Sequence, residues 1–176
     1  MPPGRRRLLI GVAAAVLLVL AAIPLTAYVI IPRLVSSTVN EAAPGATPTP
    51  AAGGTGSPAV GATPASGPRT VATGELRQVN AVDFGHGRVL VIQDGDRRFL
   101  RFDNVEIAGA PAQRVYLSDA DDGRPGNFTD LGDLRATNGS FNYEIPAAVD
   151  LSRVRSVVSW CRQFNTTVTY AVLQPA

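Results

Sequence analysis

One cysteine, Cys161, is the strongest chemical candidate in this chain of 176 residues. A lone cysteine cannot form an intrachain disulfide, so it is a buried hydrophobe, a redox thiol, an intermolecular disulfide partner or a metal ligand. The only histidine, His86, lies in a Gly-His-Gly turn, where an exposed loop residue is expected rather than a catalytic base. One cysteine and one histidine are too few for the usual zinc site or for attached haem, so we assign no metal or cofactor. This inventory also disfavours an enzyme.

The charged residues argue against two kinds of ligand. The stretch 119–123 holds three carboxylates, but a calcium loop of the EF-hand type also needs a distal glutamate and flanking helices, so we predict a solvated acidic loop. From residue 71 onward, 11 Arg stand against 13 Asp or Glu, which gives a net charge of −2. The two signs are interspersed, and we therefore expect no nucleic-acid partner.

The strand that carries Cys161 is expected to run from Val154 to Phe164. In a regular strand, alternate residues point to opposite faces, and the even-numbered face is here the more apolar one. Trp160 is therefore predicted to point into the core and Cys161 to the opposite, more polar side. We predict that the thiol is at least partly accessible, with Arg155 and Arg162 close enough in sequence to favour a thiolate.

Short runs of strand-forming residues, separated by turn signals about every ten residues, fill the range 71–176. Arg88–Ile92 is typical of a central strand, Asp94-Gly95 of a hairpin and Asn138-Gly139 of a second tight turn. No amphipathic helix of useful length is present, although 150–153 is expected to form one helical turn. The pattern predicts an all-β domain, an antiparallel sandwich or barrel. The residues predicted to lie in its core with Trp160 are Tyr143, Ile145 and Phe164.

An apolar run, Leu8–Ile31, precedes this domain. As a helix it would be about 36 Å long, enough to cross about 30 Å of hydrocarbon with some tilt. Arginines at 5–7 precede the run and only Arg33 follows it closely, which favours a cytoplasmic N-terminus. We predict a basic cytoplasmic tip at 1–7, an uncleaved transmembrane helix at 8–32 and a domain outside the cytoplasm. A cleaved signal peptide is the alternative, but its apolar core is usually shorter.

The stretch 33–70 is rich in Pro, Gly and Ala, with six Pro and six Gly between residues 41 and 70. Such a composition cannot bury enough apolar surface to offset the entropy of the chain. We predict a disordered linker that holds the domain at 71–176 away from the bilayer.

Several motifs carry a family resemblance. They are Leu131-Gly132-x-Leu134, Asn138-Gly139, Asn142-Tyr143-Glu144-Ile145-Pro146, Val149-Asp150-Leu151, Val157-Val158-x-Trp160-Cys161 and Phe164. Together they resemble the DM-13 domain, which is found in the Skeletor protein, beside DOMON domains and as a tethered domain in bacterial membrane proteins. The resemblance covers about 71–174 and implies an extracellular β-rich domain whose cysteine takes part in redox reactions or electron transfer. That role falls on Cys161, and the partner it implies is a separate redox or haem protein.

Two departures from the family pattern leave a second hypothesis open. Ala110-Pro111-Ala112 stands where the family commonly shows Gly-Pro-Asp, so a carboxylate is missing, and Ser159 replaces a usual apolar residue. The first hypothesis is a membrane-anchored redox or electron-transfer module that uses Cys161. The alternative is a non-catalytic protein-binding or adhesion module in which Cys161 only packs. A single thiol outside the cytoplasm also leaves open a dimer linked by a disulfide through Cys161.

Overall fold

The computed structural model describes residues 16, 18, 19, 36–45 and 67–176. The three residues in the apolar run, Val16, Leu18 and Val19, are helical. The rest of the predicted span 8–32, the tip 1–7 and most of the predicted linker lie outside the described residues. Within the described part of the chain, no helix is both long and apolar enough to cross a membrane.

Across the described residues the chain forms strands and one turn of 3-10 helix, in the following order. The strands are β1 Thr38–Asn40, β2 Arg69–Glu75, β3 Arg77–Gln78, β4 Gly85–Asp94, β5 Arg97–Ile107, β6 Gln113–Ser118, β7 Phe128–Asp133, β8 Asn138–Ile145, β9 Ser156–Cys161, β10 Thr166–Val172 and β11 Gln174–Pro175. The 3-10 turn, Leu151–Arg153, lies between β8 and β9, and the side chain of Asp150 caps it by accepting from Ser152 N. The predicted hairpin at Asp94-Gly95 joins β4 to β5.

The strands form two sheets, which confirms the all-β prediction. The first sheet has the order β1-β8-β5-β4-β2-β11 and the second the order β3-β10-β9-β6-β7. Neighbouring strands are antiparallel except β1 and β8, which are parallel. One core lies between the sheets, because side chains from both belong to the same buried cluster. The largest fully buried members of that cluster are Phe102, Phe141, Leu100 and Leu117. Tyr143 and Ile145 are buried as predicted.

The two ends of the sandwich differ in their loops. We call the loops 79–84, 108–112, 134–137 and 162–165 the entry end, because β1 begins beside them. Backbone hydrogen bonds join these loops to one another and to the chain before β1. They are Ala108 N to Phe84 O at 3.0 Å, Ile107 N to Thr137 O at 2.7 Å, Arg162 N to Ala112 O at 3.1 Å and Asn138 N to Ser37 O at 2.9 Å. The loops 95–96, 119–127 and 146–155 form the opposite end.

The pair Asn138-Gly139 is not the predicted tight turn but the beginning of β8. Gly139 has a φ of +101°, and a Cβ there would lie 2.2 Å from Val39 O. Glycine is therefore required at this position because β1 approaches the backbone too closely for any side chain.

Residues 36–45 lie within the range predicted as a disordered linker, yet they form β1 and the segment that follows it. Glu41 N donates to Ser140 O at 2.7 Å, and the Glu41 carboxylate accepts from Arg135 and from Asn142 N. Gly45 then lies against Pro68, since a Cβ on Gly45 would be 2.5 Å from Pro68 Cγ. The described residues on either side of the stretch 46–66 are thus close to each other.

Candidate functional site

Cys161 is the last residue of β9, in the middle of the second sheet, and its side chain is fully buried in the core. It is paired in register with Gln113 of β6 and Thr166 of β10. The prediction that the thiol is at least partly accessible is therefore wrong. Trp160, which was predicted to point into the core, is partly exposed on the other face of the sheet.

The core-facing and outward-facing sides of β9 are the reverse of the prediction, because the outer face of the second sheet is itself covered at β9. Val158 and Ser156 point outward with Trp160, yet both have no exposed surface. The acidic loop folds over them, with Ser156 Oγ donating to Ala120 O at 2.6 Å and Thr167 Oγ1 donating to Gly123 O at 2.6 Å. The outward-facing residues of β9 are therefore largely apolar, which is why the sequence pattern assigns that face to the core. The strand also ends at Cys161, so Phe164 lies in a turn and is exposed rather than buried.

A short loop, residues 108–112, separates Cys161 from solvent, and we call it the cover loop. The Cys161 thiol donates to Pro111 O at an Sγ to O distance of 3.2 Å. Pro111 is buried, whereas the next residue, Ala112, is exposed. Ala112 has a φ of +49°, in the left-handed region that a residue with a Cβ adopts at a cost. The thiol therefore lies directly beneath a surface loop that is itself locally strained.

Gln113 fastens the cover loop to the strand of Cys161. Its Oε1 accepts from Ala110 N at 2.9 Å, and its Nε2 donates to Ser159 Oγ at 2.7 Å. Gln113 and Ser159 are both buried, so their mutual hydrogen bond satisfies polar groups that water cannot reach. Ser159, which departs from the family pattern, thus has a polar partner inside the core. Sequence reasoning missed Gln113, since nothing local marks a glutamine at a strand start as a partner of a serine 46 residues away.

A cleft of about 330 Å³ lies on the outer side of the cover loop. Its lining combines Gly109, Ala110 and Ala112 of that loop with Asp133 and with Ser37, the residue before β1. Small side chains on the cover loop leave its backbone accessible from this cleft. A partner could therefore approach the loop above Cys161 without displacing a large side chain.

Tyr143 stiffens the same end of the molecule. Its hydroxyl donates to Asp133 O and accepts from Arg135 N, each at 2.9 Å, and the Arg135 guanidinium lies 5.2 Å from the ring centre. Burial raises the pKa of Tyr143 to about 12, despite the opposing effect of Arg135, so the phenol stays protonated and keeps donating at physiological pH. It is a structural group rather than an acid or base.

The other sequence candidates do not join Cys161. His86 is exposed at the start of β4, where Gly87, with a φ of +95°, forms a bulge in place of the predicted turn. In the acidic loop, both oxygens of Asp119 accept from Asn127, at 2.8 and 2.7 Å. These hydrogen bonds lower the pKa of Asp119.

Comparison with known proteins identifies the family. Residues 79–173, more than half of the chain, match the family described as Electron transfer DM13. The chain belongs to the DM13 family. The match includes β4 to β10, the cover loop and Cys161, but it excludes β1 and β2. Neither a curated protein nor a solved structure matches the chain.

Proposed function

We propose that this DM13 domain is an electron-transfer module anchored in a membrane, and that Cys161 is its redox group. The observation that carries the proposal is a single thiol buried under a short loop, inside the region that matches an electron-transfer family. The apolar run Leu8–Ile31 and its flanking arginines support a cell-membrane location with the domain outside the cytoplasm.

The burial of Cys161 bears on whether electrons move one at a time through the closed protein or by formation of a bond to the sulfur. Loss of one electron from a protonated thiol also requires loss of its proton, but the described acceptor at Sγ is the Pro111 carbonyl, which is not a base. Transfer through the closed protein to a haem partner is therefore the weaker alternative. Bond-forming thiol chemistry fits better, provided that the cover loop first moves away from the sulfur.

Once the loop has moved, the Cys161 thiol loses its proton to solvent, and the thiolate attacks a disulfide of a partner protein. A new bond forms between the Cys161 sulfur and one partner sulfur, the partner's S–S bond breaks, and the second partner sulfur leaves as a thiolate. A dithiol reductant then resolves the mixed disulfide: one of its thiolates attacks the Cys161 sulfur and releases the first partner sulfur as a thiolate, and its second thiolate attacks the disulfide just formed. Cys161 leaves as a thiolate and is reprotonated, the reductant becomes a disulfide, and two electrons have passed from the dithiol to the partner. With one cysteine per chain, a second copy gives a disulfide-linked dimer instead.

Intact-mass analysis of the full chain, isolated from membranes under acid quench, tests this function. Samples with and without reductant and alkylating reagent distinguish free thiol, mixed disulfide and dimer, and Cys161→Ser is the control. We expect a reductant-sensitive adduct in the wild-type protein alone. A thiol that is always free, with full physiological activity in Cys161→Ser, would refute the redox role.

A second candidate function, a protein-binding or adhesion module, is favoured by the complete burial of Cys161 in the core. Its surface would be the outer face of β6 and β7, where Phe128 is 49% exposed and stacks on Tyr116 with ring centres 4.1 Å apart. On this hypothesis Cys161→Ala keeps partner binding, whereas Phe128→Ser abolishes it. The same two variants, compared in one pull-down with the native partner, separate the candidates.

A further inference from the structure

Exposed apolar side chains are concentrated at the entry end. Val79 is 44% exposed and Val82 is 59% exposed, both in the loop after β3, and Phe164 is 44% exposed in the turn between β9 and β10. In the described range 67–176, the remaining exposed large apolar side chain is Phe128, on β7. Burying such side chains is favourable, so several on adjoining loops indicate a contact surface.

Charged loop residues, in contrast, are concentrated at the opposite end. The loops of the opposite end carry the charged residues Asp96, Asp119, Asp121, Asp122, Arg124, Asp150, Arg153 and Arg155. In the loops of the entry end the charged residues are Asp83, which is buried, Arg135, which is paired with Glu41, and Arg162, while Glu106 and Asp133 are exposed on the strands that border these loops. An apolar tip with arginines beside it suits the boundary between lipid headgroups and acyl chains.

The chain itself brings the entry end close to the predicted membrane span. Thr38 is paired with Asn138 at that end, and only residues 32–37 separate it from Ile31. A fully extended chain of that length reaches at most about 25 Å. The low-complexity stretch 46–66 adds nothing to this distance, because it follows β1 in the chain.

We infer that the entry end rests on the lipid surface of the membrane that anchors the chain, with Val79, Val82 and Phe164 in the interfacial layer. The inference rests on the membrane anchoring proposed above. It places the domain in direct contact with the membrane, whereas the predicted linker 33–70 would hold the domain away from it. The cover loop then faces the membrane. A partner that exchanges electrons with Cys161 is accordingly one that is itself at the membrane surface.

Fluorescence quenching by brominated lipid tests the contact in the full chain. The native tryptophan is removed by Trp160→Phe, and single reporters are placed by Phe164→Trp, by Val82→Trp or, as a matched control of similar exposure, by Phe128→Trp. Each protein is reconstituted in vesicles of phosphatidylcholine with or without bromine on the acyl chains. Bromine quenches only at short range, so we expect loss of most of the fluorescence at 164 and 82 and almost none at 128.

Flotation of the same vesicles separates failure of the contact from failure of the anchor. Protein that floats with the vesicles, but whose reporters at 164 and 82 are quenched no more than the control, overturns the lipid contact and leaves the anchor intact. Protein that does not float refutes the anchor and the contact together. The Val82→Trp reporter, in an exposed loop, gives the result if Phe164→Trp disturbs the adjoining turn.

Discussion

The two ends of the sandwich are built in different ways. At the entry end, backbone hydrogen bonds join four loops and the chain before β1, and Cys161 lies directly beneath them. At the opposite end, side chains fasten the loops rich in Asp and Arg. Some of these bonds are local, between Asp119 and Asn127 and between Asp150 and Ser152, and others come from the strands, since Ser156 donates to Ala120 O and Arg98 donates to Val149 O. The thiol therefore lies under the end whose loops carry few exposed charges.

A second contrast is between the residues that match the DM13 family and those outside the match. Cys161 and the cover loop lie inside the matched residues, whereas the segment 36–45 lies outside them. In the sequence, that segment joins the N-terminal apolar run to the domain. The proposed chemistry thus falls on the matched part, and the proposed contact with the membrane depends on the part outside the match.

The largest expected effect comes from separating β1 from β8. Gly139→Ala places a Cβ against Val39 O in a backbone conformation that only glycine adopts easily, and we expect a loss of about 3 kcal/mol in unfolding free energy. Gly132 has a similar φ of +114° with nothing within 4 Å of its Cβ position, so Gly132→Ala is a matched control that should cost about 1 kcal/mol. Only the first change should speed hydrogen exchange at the Glu41 amide. Equal protection in both variants would mean that β1 does not dock as described.

Loosening the cover loop should expose the thiol. Gln113→Ala removes the bonds to Ala110 N and Ser159 Oγ and should cost about 2 kcal/mol, with faster alkylation of Cys161 in the native protein. Gln93→Ala, at the opposite end, removes one exposed hydrogen bond to Gly95 O and should leave the alkylation rate unchanged. If both variants react at the wild-type rate, the cover loop does not control access.

Acid should release β1 before it unfolds the sandwich. Burial opposes ionisation of Glu41, but the hydrogen bond from Asn142 N and the charge of Arg135 outweigh it, so the pKa of Glu41 lies below its ordinary value of 4.5. A depressed folded-state pKa stabilises docking above about pH 4.5, and that contribution is lost as the pH falls through the lowered value. The protection factor of the Glu41 amide, which is the intrinsic exchange rate at a given pH divided by the observed rate, should thus fall below that pH in the wild-type protein. Glu41→Gln should show fast exchange at neutral pH, and a flat pH profile in the wild type would contradict this role.

The smallest effect is a gain in stability. Ala112→Gly relieves the positive φ in the cover loop and should raise the unfolding free energy by about 0.5–1 kcal/mol. Ala110→Gly, two residues away where φ is not positive, should give no gain because it only adds freedom to the unfolded chain. Urea denaturation of the two variants makes the comparison. A loss of stability in Ala112→Gly would show that the loop is not strained there.

The features that the sequence predicted correctly are those that depend on residues close together in the chain. The strand through Arg88–Ile92, the hairpin at Asp94-Gly95 and the buried positions Tyr143 and Ile145 follow from alternation and turn residues, which act over a few positions. The 3-10 turn after Asp150 was predicted for the same reason.

What the sequence did not predict depends on distant contacts. Cys161 was placed on the wrong face because the loop 119–127 covers the outer side of its sheet, and no pattern within β9 reveals that cover. The strand β1 has only three residues, and its partner begins 100 positions later, at Asn138. Phe164 is exposed, although the pattern predicts it in the core, because β9 ends at Cys161 and does not continue to 164.

Whether Cys161 reacts through local opening of the cover loop can be measured by its rate of mixed-disulfide formation with oxidised glutathione in increasing urea. Local opening exposes little surface, so we expect a rate that is nearly constant at low urea and exceeds the rate allowed by global unfolding. If the rate instead rises from zero urea with the full denaturant dependence of unfolding, Cys161 reacts only in the unfolded chain. Cys161 would then be a structural residue of the core.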